Sequence, residues 1–329
     1  PLRHTLDRLY GGLREAGWDV SAYGQEVMGV EVRAAGLPEL LAELRQRMSH
    51  PEMVDSPAVF LERGEGFDIA SLSRARPLSQ FAARAENRWL AEVIREERVR
   101  ILYQPIVRAE DTSRVFAYEC LLRGLTPQGT PVSPASLYKA AELSGLQFHL
   151  DRMARDKTIR ESHRLAINAH LFINFLPAAI YHPASSLSEA VATVRELDLD
   201  PRGIVFEVTE SEAESDPGHM RRIAQECRQG GFRIALDNLS AGYGSLNLLK
   251  ELEPDFVKID KELVRNVYFD HNKASLVEAV VRMARQLETT VVAEGVEVRR
   301  EFDWLREAGV DLVQGFFIAR PNHPPPAPG

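Results

Sequence analysis

The sequence predicts an α/β protein: a closed, modified (β/α)8 barrel with one antiparallel strand, preceded by a smaller α/β or helical N-terminal region. Three observations predict it. From residue 99 onward, eight short apolar runs rich in Val, Ile and Phe alternate with longer amphipathic stretches. A polar residue recurs at or near the end of nearly every run, as at the C-terminal rim of a barrel. Only residues 108–114 separate the first two runs, too few for a helical crossover, so that pair is expected to be antiparallel.

In order, the expected strands are 101–107 (ILYQPIV), 115–122 (VFAYECLL), 170–175 (HLFINF) and 203–208 (GIVFEV). They continue with 232–236 (FRIAL), 255–259 (DFVKI), 289–295 (TTVVAEG) and 311–317 (DLVQGFF). Helical spacing marks 134–144, 151–163, 217–229, 272–288 and 299–308. In 272–288 the expected stripe is Leu276, Ala279, Val280, Met283, Ala284 and Leu287. Residues 1–98 differ in texture: a helix at 2–15, a strand at 27–32, a helix at 38–48, an apolar run at 58–61 and one long helix at 78–97. The last carries Leu78, Phe81, Ala85, Trp89 and Val93 along one side, a stripe expected to pack on the barrel or on a second subunit. The division is therefore 1–98 as an N-terminal region of packing or regulatory role, 99–322 as the barrel, and 323–329 as a Pro-rich exposed tail without regular structure.

Composition narrows the function. The chain has 329 residues, 40 Lys+Arg against 48 Asp+Glu, and a formal net charge of −8. That balance argues against a polymeric nucleic acid as partner, yet bound cations can reverse the sign inside one pocket. Cys120 and Cys227 lie far apart and indicate neither a disulfide framework nor a structural zinc site. No stretch approaches a membrane span and no signal segment is visible, so the chain reads as cytoplasmic. It begins at Pro1 without a methionine, as a processed chain or a fragment would. The nine histidines show no ligand spacing, and His149, His163, His170 and His182 read as ordinary surface or packing residues.

The strand ends are the informative feature. Glu119, Asn174, Glu207, Asp237, Lys258, Glu294 and Gln314 fall there in succession. Any one alone reads as a solvated strand end or a helix cap; seven in series converge on one rim. Four carboxylates gathered there would repel one another without cations. The oxygen donors Glu119, Asn174, Glu207 and Asp237 suit Mg²⁺ or Mn²⁺. Glycines cluster in SAGYGS (240–245), a loop able to wrap a phosphate or simply to turn.

These residues resemble the EAL domain, the bacterial cyclic-di-GMP phosphodiesterase family. The motifs are YQPIV (103–107), ECLLR (119–123), INFLP (173–177), FEVTES (206–211), LDNLSAGYGSL (236–246), DFVKIDKELV (255–264), VVAEGVE (291–297) and VQGFF (313–317). The resemblance implies a hydrolase, a cyclic-guanylate-specific phosphodiesterase that opens cyclic di-GMP to linear pGpG with two Mg²⁺ or Mn²⁺ ions. By it, Glu119, Asn174, Glu207 and Asp237 hold the first ion, and Asp237 bridges to a second with Asn238. Lys258 orients the attacking water, Glu294 stands by as ligand or proton acceptor, and Gln314 and Glu297 support that shell. Arg123 contacts a phosphate, Gln104 a guanine edge, and Glu210 props the loop after Asp237. The family also implies a homodimer.

The sequence departs from the family pattern where two aspartates are usual: here Asp237 is followed by Asn238, then Leu239, Ser240 and Ala241. An amide keeps an oxygen but loses the charge, so a second ion binds more weakly. This keeps open an alternative, a cyclic-di-GMP receptor that binds and barely cleaves. Cys120, in place of the signature alanine, is expected to point away from Glu119 into packing.

Overall fold

The computed structural model describes every residue except 1, 24, 25, 63, 64, 66, 178–182, 240–242 and 329; the side chains of 2, 3, 69, 72, 183–186 and 243–247 also lie outside the description. His182 and residues 240–242, the first half of the SAGYGS segment of 240–245, fall among the undescribed residues. The chain divides into two compact units, residues 1–96 with 135–147, and residues 97–134 with 148–329.

The larger unit is a closed barrel of eight strands: β1 (Val99–Arg108), β2 (Val115–Leu125), β3 (His170–Asn174), β4 (Ile204–Thr209), β5 (Arg233–Leu239), β6 (Phe256–Ile259), β7 (Thr290–Ala293) and β8 (Leu312–Gln314). Neighbours around the ring run β1-β8-β7-β6-β5-β4-β3-β2, and β2 pairs with β1 to close it. β1 is antiparallel to both β2 and β8, while the other neighbours are parallel. The short link between β1 and β2 is the cause. Asp111 folds it back, its Oδ1 accepting from the Ser113 N–H at 3.0 Å and hydroxyl at 2.6 Å. Residues Pro131–Val132 add a short strand to the outer edge of β2, outside the ring.

One apolar residue from each strand fills the interior: Ile106, Ala117, Phe172, Val205, Ala235, Phe256, Val292 and Leu312. Successive side chains on a strand face opposite ways, so the residue two positions nearer the rim also points inward. That simple count locates the site described below.

The helices that clothe the barrel differ from expectation in detail. Helix His271–Gln286 buries Val277, Val280, Val281 and Ala284, while Leu276 and Leu287 are 39% and 46% exposed. The buried stripe is thus rotated from the one the sequence suggested, because Val277 takes the core position. Helices Pro183–Glu196 and Tyr243–Leu252 complete crossovers that no apolar stripe had announced.

In the smaller unit, strands Asp19–Tyr23 and Val27–Glu31 form an antiparallel hairpin, of which the sequence had suggested only the second strand. The helix expected over 78–97 is two helices, Leu78–Glu86 and Arg88–Arg95. Asn87 ends the first: its side-chain amide and its N–H both donate to the Ala83 carbonyl, at 2.9 and 2.8 Å. Leu78, Phe81 and Ala85 pack on this unit's own core of Leu9, Leu13, Leu40, Leu41 and Leu44. Their stripe is therefore not reserved for the barrel or for a second subunit.

The Pro-rich tail is also docked rather than free. Asn322 pairs antiparallel with Tyr103 of β1, with N–H to carbonyl distances of 2.9 and 3.1 Å. The Tyr118 hydroxyl donates to the Pro326 carbonyl at 3.0 Å. Proline cannot extend a sheet by its own N–H, but its carbonyl accepts freely, and Asn322 supplies the missing donor. Among the described residues no helix is long and apolar enough to cross a membrane.

Candidate active site at the C-terminal rim of the barrel

Moving two residues toward the rim from each interior apolar side chain reaches Gln104, Glu119, Asn174, Glu207, Asp237, Lys258, Glu294 and Gln314. Every strand contributes one polar group; Glu294 lies just past the end of β7. This is the C-terminal face for β2 through β8, and β1, running the other way, reaches it with Gln104. Register aligns the set. Gln104 stands opposite Glu119, and Asn174 opposite Glu207.

Lys258 is the centre of the constellation and is fully buried. Its Nζ lies 2.5 Å from Glu207 Oε1 and 2.5 Å from Glu294 Oε1, with Asp237 Oδ1 at 3.6 Å and Glu119 Oε2 at 3.7 Å. One ammonium thus faces four carboxylates. Burial pulls the Lys258 ammonium toward neutrality, but Asp237, Glu119, Glu207 and Glu294 outweigh it and hold its pKa well above the ordinary lysine value. Burial pushes Glu207 well above the carboxylate range, with Lys258 opposing and Glu119 and Asp237 adding to the rise. Burial likewise raises Glu294 to about 8. The cluster is short of positive charge. Protons on carboxylates are one remedy, and added cations are the other.

The remaining members fall around this centre. Gln314 Nε2 donates to Glu119 Oε2 at 2.5 Å and to Gln104 Oε1 at 3.1 Å, so one buried amide fixes two neighbours. Gln104 Nε2 donates in turn to the Ala319 carbonyl at 3.3 Å. Arg123 lies four residues past Glu119 on the same face of β2, half-buried, with one guanidinium N–H on the Leu122 carbonyl at 2.8 Å. Asn174 is exposed at the mouth. Asn238 sits in the left-handed region at φ 55°, a conformation asparagine tolerates better than most residues. Its N–H and its side-chain amide both donate to the Asp237 carboxylate, at 2.8 and 3.1 Å.

Two expectations fare differently. Glu297 is exposed, and its carboxylate meets Arg265 at 3.5 Å rather than joining the central group. It is one residue past the turn through Gly295 and Val296, where the chain has already left the barrel mouth. Glu210 opens helix Glu210–Ser215 and is 8% exposed, but the loop it was expected to prop includes undescribed residues. Cys120 is buried, and burial followed by the charges of Glu207 and Glu119 pushes its thiol pKa well up, which makes it inert packing. The sequence reading missed Asp151 and Arg155, a buried ion pair on helix Gln147–Arg164. Their signal was an acid and a base four residues apart on a face otherwise holding Leu150, Ala154 and Thr158.

The donors present at the rim fit hard divalent ions: all are oxygens, and Glu207 Oε2 and Gln314 Oε1 are buried without a hydrogen-bond partner among the described residues. Among the described residues, no three carboxylate, imidazole or thiol groups already form a cation cage; the Lys258 ammonium stands where they converge. A cavity of about 250 Å³ at the other mouth, between Arg108, Arg233, Asp255 and Glu288, touches none of these groups.

Comparison with known proteins identifies the family and the fold. The EAL domain family matches residues 87–321. The chain is 30% identical over 223 residues, 67% of its length, to the probable cyclic di-GMP phosphodiesterase PdeG of Escherichia coli K12, of which it covers 44%. It is 26% identical over 63% of its length to the blue light- and temperature-regulated antirepressor BluF of the same organism, covering 50% of that protein. A standalone EAL protein from Vibrio cholerae O395, solved with cyclic di-GMP bound, superposes with a TM-score of 0.63 at 32% identity, over 70% of this chain and 95% of that one. The chain spans half or less of the length of these curated relatives.

Proposed function

Because the chain belongs to the EAL domain family, we propose that it is a metal-dependent phosphodiesterase that hydrolyses cyclic di-GMP to linear pGpG. The observation carrying this reading is the Lys258 ammonium held by Glu207 and Glu294 at 2.5 Å each, in a ring to which every strand adds one polar group. Glu119, Asn174, Glu207, Asp237 and Asn238 would hold two Mg²⁺ or Mn²⁺ ions. Bound there, such ions supply an acidified water and a counter-charge for the phosphodiester.

The chain's own groups account for the rest. Glu294, 2.5 Å from the Lys258 ammonium, would accept the proton that the attacking water loses once bound cations have driven its carboxyl to the ionised form. Lys258, charged and buried, orients that water and offsets charge gathering on the phosphoryl oxygens. Arg123 offers a planar fork suited to a phosphate. Gln104 presents an amide to a guanine edge, and its bond from Gln314 fixes which end of that amide faces the ligand. Gln314 also holds Glu119 in place.

The test is incubation with cyclic di-GMP and Mn²⁺, followed by separation of the nucleotides. Linear product that disappears in Glu119→Ala supports the hydrolase; equal turnover in that variant rejects the metal-site assignment. One observation favours a second reading, a cyclic-di-GMP receptor. Asn238 donates to Asp237 instead of adding a second carboxylate. Saturable binding of cyclic di-GMP without product would establish the receptor.

A further inference from the structure

Resting on that reading of the rim, we infer that Asp151 and Arg155 are positioning residues: they clamp the loop after β3 and so present Asn174 to the ions. Asn174 is the last residue of β3 and is exposed; among the described residues no side-chain hydrogen bond holds its amide. Its placement therefore depends on the backbone that follows. Phe175 N–H donates to the Glu207 carbonyl at 2.9 Å and extends the β3–β4 pairing by one step.

Beyond that point, among the described residues, three contacts anchor the chain, each from an outer helix. Asp151 Oδ1 accepts from the Leu176 N–H at 3.1 Å. The Arg155 guanidinium lies over the Phe175 ring, 5.0 Å from its centroid. His219 Nε2 meets the Pro177 carbonyl at 3.1 Å. Asp151 and Arg155 are joined to each other, with side chains only 2% and 3% exposed. A buried ion pair is an expensive way to hold two helical turns together, since desolvating both charges cancels much of their attraction. Here it performs a task that a hydrophobic pair could not. It aims a carboxylate oxygen at a loop N–H and a flat cation at a loop ring, on consecutive residues next to the ligand-bearing asparagine. Groups that orient a metal ligand from behind govern affinity for the ion without touching it.

The test compares two double variants that both remove the buried charges and the guanidinium on Phe175. In Asp151→Asn/Arg155→Met the amide oxygen still accepts from Leu176 N–H; in Asp151→Leu/Arg155→Met nothing does. Mn²⁺ affinity is read by calorimetry and loop opening by amide hydrogen exchange at residues 174–176, neither of which needs turnover. The asparagine variant should keep Mn²⁺ affinity within about twofold of the parent, and the leucine variant should lose on the order of tenfold and exchange faster at 174–176. Adding Asn174→Ala to the leucine variant should then cost no more, because Asp151 acts only through Asn174. Equal Mn²⁺ affinity in the two double variants, or a full additional loss on adding Asn174→Ala, overturns the inference alone. Failure of the parent protein to bind Mn²⁺ overturns the metal reading of the rim, and this inference with it.

Discussion

Replacing Lys258 by methionine tests the central electrostatic argument, because methionine keeps the stem's volume and removes only the ammonium. In the parent protein that ammonium contacts Glu207 and Glu294 at 2.5 Å and has Asp237 and Glu119 within 3.7 Å. Without it, four carboxylates share a buried mouth with no internal cation. Removing one partner of a buried ion pair costs about 3–5 kcal/mol. For a unit of this size each kcal/mol lowers Tm by about 2–4 °C, so the fall is roughly 6–20 °C.

The pH dependence has a definite sign. Glu294 has a folded pKa of about 8 against an ordinary 4.5, so between those values the native state keeps a proton that the unfolded chain has lost. Stability of the metal-free parent therefore falls as pH rises through that window, by up to about 1.4 kcal/mol per unit from Glu294 alone, and Glu207 adds in the same direction. Lys258 restrains this rise in both Glu207 and Glu294. In Lys258→Met the fall is steeper and continues to higher pH. Thermal unfolding in a chelator should show a much smaller gap between variant and parent at pH 5.5, where Glu294 is neutral in both, than at pH 8.5. A variant equally destabilised at both pH values, or stable to within 1 °C at pH 8.5, would refute the charge balance drawn here.

Three further outcomes follow from the same geometry. Mn²⁺ at about a hundred times its dissociation constant should stabilise the parent by about 2.7 kcal/mol, with a larger Tm rise at pH 8 than at pH 6; urea unfolding with and without chelator measures it. Asn238→Asp exchanges a donor to Asp237 for a like charge, so it should lower Tm in chelator yet raise cyclic-di-GMP turnover at limiting Mn²⁺; identical metal titrations would show that the second site does not use that charge. Ending the chain at Arg320 removes both Tyr103–Asn322 bonds and the Tyr118–Pro326 bond. At about 0.5–1.5 kcal/mol each, this should cost about 2–4 kcal/mol by denaturant titration, and an unchanged midpoint would mean the tail is not docked in solution.

The barrel was legible because its strands are nearly continuous apolar runs and their rim residues break that pattern with one polar group each. Glu207 between Phe206 and Val208, Lys258 between Val257 and Ile259, and Gln314 after Leu312 and Val313 stand out because their immediate neighbours are apolar. The antiparallel β1 was legible from chain length alone. What stayed hidden depends on contacts between residues distant in sequence. The bond between Asn322 and Tyr103 leaves no local trace, and a segment of prolines reads as free chain until its carbonyls find donors. The break at Asn87 is a local competition, an asparagine amide capturing the Ala83 carbonyl, that an otherwise helical stripe conceals. Glu297 misled for the opposite reason. It resembles a site residue by motif, but it lies beyond the turn at which the chain leaves the mouth.

The choice between hydrolase and receptor does not lie in the ring of eight. Each ring position is fixed by strand alternation, and a one-residue slip would turn a whole set of inward groups outward, so the ring persists wherever the barrel folds. It already holds an ammonium, a carboxylate with raised proton affinity and further side-chain oxygens in one place. The variable element is the residue after Asp237. There the left-handed backbone at φ 55° places Asn238's donors on the Asp237 carboxylate, occupying oxygens that a second cation would have to share. Release of the Asn238 side-chain bond as Mn²⁺ binds would leave the ring competent for cleavage. Its persistence at saturating Mn²⁺, visible as an unshifted side-chain amide resonance in a diamagnetic Mg²⁺ titration run in parallel, would leave a barrel that holds the nucleotide with only the first ion in place.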